Sequence, residues 1–294
     1  VKILLTGGSG FFGRIIRQEL EKSQQLISLG RGPSNQIACD LSKEIPKIPP
    51  VDMIIHAAGK AHVVPKTKEE NQEFFDVNLR GTSNLLEGIS LHPKSFVFIS
   101  TVAVYGLEEG LDIDESRPLN GDSPYAKSKI EAENLILNWG VQNQVNVLIL
   151  RLPLIVGSNP PGNLGAMIKT IRSGFYRRIG EGSAKKSMVL AQDIARALPE
   201  WVNKKGTYNL TDGVHPSMAQ LDGALAQKLG KKVKKVPVWP LSVIAKLGDL
   251  IPGFPLNTYR LGKLSKSLTF SDSKANTELN WSPRSVLDYF DPTK

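Results

Sequence analysis

One cysteine, Cys39, stands among 294 residues, so no intrachain disulfide is possible and a reducing compartment is expected. No run of about eighteen apolar residues occurs, so no membrane-spanning helix is expected. The opening residues Val1-Lys2-Ile3-Leu4-Leu5 enter a strand pattern directly, so no signal peptide is expected. A cytoplasmic protein is the expectation. Acidic residues are short: 28 Asp and Glu face 37 Lys and Arg, for a net charge of +9. That balance suits nucleic acid, anionic lipid or a phosphorylated small molecule. The densest cluster, Lys231, Lys232, Lys234 and Lys235, has no aromatic residue interleaved and reads as a solvated edge. No nucleic-acid partner and no metal site are therefore expected, whereas a diphosphate ligand fits the charge. Internal repeats and low-complexity linkers are absent too.

What is present alternates. Short apolar runs predict strands at 2–6, 26–29, 36–38, 52–57, 95–100 and 145–151. Phe96-Val97-Phe98-Ile99 and Met53-Ile54-Ile55 are continuous rather than alternating, as strands buried on both faces are. Helical patterns fall between them at 11–21, 67–89 (broken) and 124–140. Such alternation predicts a parallel sheet with right-handed crossovers and helices on both sides. After Gly157 the texture changes. Ser158-Asn159-Pro160-Pro161-Gly162-Asn163 is a loop by composition. Helices are expected at 164–173, 193–202, 221–229 and 239–250, with a strand at 206–210. Residues 1–157 form the expected dinucleotide-binding domain, with 187–212 returning to it. Residues 158–186 and 213–294 form a smaller lobe.

Thr6-Gly7-Gly8-Ser9-Gly10-Phe11-Phe12-Gly13 lies between the first strand and the first helix. Glycines at 7, 10 and 13 suit a tight turn, a close approach to pyrophosphate and close helix–strand packing. The phosphates would sit at the helix N-terminus, facing Gly7, Gly10, Phe11, Phe12 and Gly13. The second strand ends at Gly30-Arg31, without the carboxylate that usually bonds the ribose of NAD. Arg31 instead suits the 2′-phosphate of NADP, which tilts the cofactor toward NADP over NAD. Asp40 and Leu41 would border the adenine. His56-Ala57-Ala58-Gly59 places small residues where a cofactor can pass, and His56 reads as structural. Asn78 sits mid-helix, where asparagine is disfavoured, and suits a bracing or water-holding role. Ser100 and Thr101 end the fifth strand, at the expected mouth of the site.

In Ser123-Pro124-Tyr125-Ala126-Lys127-Ser128-Lys129, Ser123 suits a helix cap and Pro124 the first helical position. Tyr125 and Lys129 then share one face, a turn apart. The ammonium is expected to lower the phenol pKa, so that Tyr125 exchanges a proton with a sugar hydroxyl or ketone.

Together these motifs resemble the extended short-chain dehydrogenase/reductase superfamily, in its nucleotide-sugar epimerase/dehydratase branch. The glycine turn, His56–Gly59, Asn78 with Gly81-Thr82, Thr101–Gly106, Tyr125 with Lys129, and Arg151–Gly157 carry the resemblance, with Asp193 and Gly206–Leu210 following the later pattern. It implies an α/β fold, a Rossmann-type doubly wound parallel sheet with a smaller C-terminal substrate-binding lobe. It implies Thr101, Tyr125 and Lys129 as catalytic residues, with Tyr125 the acid/base and Lys129 on the nicotinamide ribose. Ala57, Ala58, Gly59, Asn78 and Ser100 would adjoin the cofactor, and Pro153 and Leu154 would border the nicotinamide. Asn163, Lys186 and Arg260 would hold the nucleotide-diphosphate sugar, which carries UDP in most of the branch. Where the branch's dehydratases have Thr-Asp-Glu, this chain has Thr101-Val102-Ala103, which argues against 4,6-dehydration. Ser158-Asn159 and Gln192 also depart from the pattern and leave the substrate open. A UDP-sugar C4 epimerase is the leading expectation. A 4-keto-sugar reductase using NADPH is the alternative, and a non-catalytic dinucleotide sensor a more distant one. The superfamily's four-helix contact would make a homodimer from 67–89 and 124–140. The apolar stretch from Trp239 to Phe254, beside the lysine cluster, is read as a packed lobe helix, with membrane contact as the alternative.

Overall fold

The computed structural model of the chain describes residues 1–61, 63–237 and 265–293. Strands β1 (Lys2–Thr6), β2 (Gln25–Gly30), β3 (Ile37–Ala38), β4 (Met53–His56), β5 (Ser95–Thr101), β7 (Asn146–Leu152) and β11 (Gly206–Asn209) form one seven-stranded sheet. Its order is β11-β7-β5-β4-β1-β2-β3, with every neighbouring pair parallel. This is a Rossmann-type doubly wound sheet. The order reverses between β1 and β4, which opens a crevice beyond their carboxyl ends.

Strand side chains alternate between two cores. Ile3, Leu5, Met53, Ile55, Val97, Leu148 and Leu150 face α1 (Phe11–Leu20) and α6 (Ala191–Ala197). Leu4, Ile54, Phe96, Phe98, Val147 and Ile149 face α3 (Gly81–Glu87) and α4 (Pro124–Gln142). Both faces are covered, which is why the runs are continuously apolar. The broken helical pattern at 67–89 is α2 (Lys68–Phe75), a π turn (Asp76–Arg80) and α3 in one stroke.

A third core holds the lobe together. It joins Leu164, Ile168 and Ile171 of α5 (Gly162–Arg172) to Leu221 and Leu225 of α7 (Met218–Lys228) and Val286 of α9 (Val286–Tyr289). Strands β9 (Arg177–Ile179) and β12 (Lys234–Val236) pair on its surface, with Lys231, Lys232, Lys234 and Lys235 exposed. Strands β8 (Leu154–Val156) and β10 (Met188–Leu190) pair between lobe and sheet. Strand β6 (Gly110–Ile113) pairs with β13 (Leu268–Phe270), and α8 (Ser273–Leu279) follows it. Among the described residues no helix is long and apolar enough to cross a membrane. Arg260 and the stretch from Trp239 to Phe254 lie outside the described residues.

Candidate active site

The glycine turn closes tightly. Gly7 has φ +74°, and a Cβ on it would come within 2.6 Å of the Ala57 carbonyl carbon. Its carbonyl accepts from Gly10 N at 3.0 Å. A Cβ on Gly13 would run into that same carbonyl, so the turn and α1 approach only because both residues are glycine. No side chain caps α1, so its first N–H groups are free for an anion. A cavity of about 680 Å³ opens here, lined by Gly7, Ser9 and Gly10, by Leu29, Gly30 and Arg31, by residues 39–43, and by Ala57, Ala58, Gly59 and Lys60. Arg31, Asp40 and Leu41 thus meet in one place. Hydrogen bonds from Ser42 hold the Asp40 carboxyl below its usual range, and Lys43 and Arg31 add to the effect. Phe12 does not face this cavity: its ring is buried in the core beside α1, as the period of that amphipathic helix requires. Ser9, Lys60 and Lys43, which the motif reading missed, line it.

On the other side of β4, α4 begins as its sequence predicts. Ser123 Oγ accepts from Ala126 N at 3.2 Å and Pro124 takes the first turn. Tyr125 is half-buried, with its ring 6.1 Å from that of Phe74. Burial pushes the phenol above its ordinary value, and the nearby Thr101 side chain pulls the other way. The expected lowering by Lys129 does not occur. Lys129 Nζ donates to Ile99 O at 2.6 Å and lies 3.8 Å over the Phe98 ring, turned toward the sheet. Burial brings the Lys129 pKa down to about 7, and the Glu133 charge opposes it.

Glu133 is 1% exposed, one further turn along the same face. It accepts from Arg151 Nη2 at 2.7 Å and from Ser100 Oγ. Arg151 Nη1 also donates to Tyr105 Oη at 3.1 Å, which donates to Asn209 Oδ1 at 2.8 Å. Ser100 is therefore committed to this buried network and does not sit at the mouth as expected; Thr101, the last residue of β5, is half-buried. The i+4 spacing of Glu133 from Lys129 is the signal in the sequence that could have pointed to it. Asn78 does not line the cavity either. Its Oδ1 accepts from Lys60 N at 2.7 Å, and its Nδ2 donates to Ser128 Oγ at 2.9 Å and Lys60 O at 3.1 Å. Pro153 is half-buried and Leu154 exposed, where β7 hands over to β8.

The lobe holds a second cavity of about 270 Å³, lined by Asn163, Met167, Tyr176, Arg178, Ile179 and Met218 among others. Buried Asp222 fixes its polar wall. It accepts from Arg178 Nε at 2.9 Å and from Tyr176 Oη at 3.2 Å. Lys186 does not line this cavity; its backbone bridges to Leu268. The whole arrangement can receive an extended anion along the glycine turn and exchange a proton at Tyr125. No acid follows Thr101, where Val102 and Ala103 begin a short 3-10 turn.

The chain is similar in sequence and fold to known proteins. The chain is 28% identical over 254 residues to a putative UDP-glucose 4-epimerase of Methanocaldococcus jannaschii, covering 78% of this chain and 82% of that one. It is 30% identical over 179 residues to the N-acetyl-alpha-D-glucosaminyl-diphospho-ditrans,octacis-undecaprenol 4-epimerase of Escherichia coli O157:H7, covering 58% of this chain and 54% of that one. Among solved structures, RMD from Pseudomonas aeruginosa complexed with NADPH superposes with a TM-score of 0.75 at 21% identity, over 99% and 97% of the two chains. Residues 3–210, which carry the glycine turn, Thr101, Tyr125 and Lys129, match the model of the NAD dependent epimerase/dehydratase family, and the chain belongs to that family.

Proposed function

We propose that the protein interconverts hydroxyl and ketone at C4 of a nucleotide-diphosphate sugar, and acts as a UDP-sugar C4 epimerase. The observation that carries the reading is the placement of Thr101 at the end of β5 and of Tyr125 at the head of α4, with Lys129 one turn on. The glycine cradle fits a dinucleotide: Gly7 and Gly13 let the turn close against Ala57 and α1, and the uncapped α1 suits its pyrophosphate. Gly7, Gly10, Ala57, Ala58 and Gly59 would hold it, and when bound it would supply the hydride acceptor and donor. Tyr125 would take the proton from the sugar O4 as the carbonyl forms and return it as the alcohol is restored. Thr101 would orient O4 by a hydrogen bond. Lys129, anchored on the Ile99 carbonyl, would meet the ribose of the bound dinucleotide. Asn163 and Arg178 in the lobe cavity would bind the nucleotide end, with Lys186 and Arg260 as further candidates. With Val102 and Ala103 after Thr101, no acid is at hand for water elimination.

The test is incubation with UDP-sugars and no added cofactor, read by NMR of the sugar. Epimer appears without net redox if the reading holds. Product only with stoichiometric NADPH consumption overturns it.

One observation favours a second reading, a 4-keto-sugar reductase using NADPH. Arg31 lines the cavity at the end of β2, where no carboxylate stands. Arg31→Asp should then weaken NADPH binding more than NADH binding, and equal loss for both would remove this support.

A further inference from the structure

His56, at the end of β4, is 1% exposed and has a hydroxyl at each ring nitrogen. Thr6 Oγ1 lies 2.7 Å from Nδ1 and Thr82 Oγ1 lies 2.9 Å from Nε2. Valence assigns the hydrogens. Asn78 O is a carbonyl and only accepts, so Thr82 donates its one hydroxyl hydrogen there, at 2.6 Å. Thr82 must then accept from His56, and Nε2 carries the ring hydrogen. On the other side Thr6 Oγ1 accepts from Ala58 N at 3.1 Å and has its own hydrogen for Nδ1. A second ring hydrogen would strand the Thr6 hydroxyl hydrogen inside the protein, so the imidazole is neutral. Burial and the Lys129 charge push its pKa down to about 3, in the same sense.

The path continues past Asn78. Its Nδ2 donates to Ser128 Oγ, which donates to Tyr125 O at 2.8 Å. Every donor from Ala58 to Ser128 points the same way. The ring also stacks on Phe98, centroids 5.6 Å apart, and Phe98 is the ring beneath Lys129 Nζ. Thr82 back-bonds to the carbonyl four residues before it, inside the π turn.

We infer that His56 is a positioning residue: its neutral, Nε2-protonated imidazole fixes the π turn at Asn78 through Thr82, and Asn78 then sets the backbone of Tyr125 through Ser128. The kinetic consequence rests on Tyr125 being the proton-transfer group.

The experiment uses the full chain. Nitrogen-15 labelling of its four histidines identifies the tautomer, and carbonyl-13C labelling of its six tyrosines reports the Tyr125 carbonyl. The expected result is an Nε2–H tautomer that does not titrate between about pH 5 and 9. Thr82→Val should shift the Tyr125 carbonyl signal and lower kcat about 100-fold with KM little changed, as a small displacement of a reacting group does. Thr82→Ser, which keeps the hydroxyl, should restore both. A charged or Nδ1–H ring, or a Thr82→Val protein with an unmoved Tyr125 signal, overturns the inference. If the wild type turns over no nucleotide sugar, the proposed reaction fails, while the tautomer and the Tyr125 signal still decide the positioning.

Discussion

Lys129 and Tyr125 share a helix face, but their protonation is set by what surrounds each one. The Lys129 ammonium rests on Phe98 and the Ile99 carbonyl, and its pKa falls from 10.5 to about 7. In that window the unfolded chain holds a proton that the folded chain has released. Stability should therefore rise with pH from about 7 to 10.5. Urea midpoints on either side of the window should differ for the wild type, and Lys129→Met should remove that part of the rise. His56 acts in the same sense lower down, between its folded value of about 3 and the ordinary 6.5. Tyr125→Phe removes the hydroxyl proposed to carry the proton while leaving the cavity beside the glycine turn intact. Turnover should fall by about 10²–10⁴-fold with NADPH binding retained, measured by fluorescence titration. A non-catalytic sensor would show no such loss. At this scale the residue types and their spacing were legible, and their surroundings were not. Ser100 looks like Thr101 in sequence, but it points the other way along the pleat, to Glu133. The pairing of Glu133 with Arg151 joins residues 18 apart that no local pattern links.

Elements built from long apolar runs were the easiest to read. Strands β1, β4, β5 and β7 are buried on both faces, so hydrophobicity alone marks them. Strands β6, β9, β12 and β13 are three or four residues each and mix polar with apolar residues. Their pairing comes from tertiary contact, which local sequence does not encode. The break in the 67–89 pattern is a π turn, a device found often at functional sites, and it carries Asn78. The glycine turn gives the prediction at this scale. Gly7→Ala would place a methyl against the Ala57 carbonyl carbon at a positive φ. The variant should lose dinucleotide binding and stability together, by calorimetry, because the turn and the end of β4 must move apart. Ser123→Ala, by contrast, removes one cap hydrogen bond and should cost about 1 kcal/mol.

Across the molecule, the C-terminal segment ties sheet and lobe together. Trp281 Nε1 donates to Thr211 O at 2.9 Å, and its ring lies 5.8 Å from that of Trp201 in the core beside α1. Arg284 reaches Asp193 Oδ1 at 2.7 Å from the same side. Trp281→Ala should cost about 3–5 kcal/mol in denaturant unfolding. The loss should appear as one cooperative transition that reports on sheet and lobe alike. The doubly wound architecture was visible from the alternation of elements, but this tie was not. It depends on tryptophans 80 positions apart meeting in three dimensions.

Strand β6 has its parallel partner far downstream: Asp112 N donates to Thr269 Oγ1 across 157 positions. During synthesis, at about 5–20 residues per second, that partner emerges roughly 8–30 s later. For that interval the β6 backbone has only water or a chaperone to bond. The nascent chain can therefore assemble its dinucleotide crevice well before it can finish the edge behind Thr101 and Tyr105. Ribosome pausing within those 157 codons would lengthen the time for which that edge is open to aggregation.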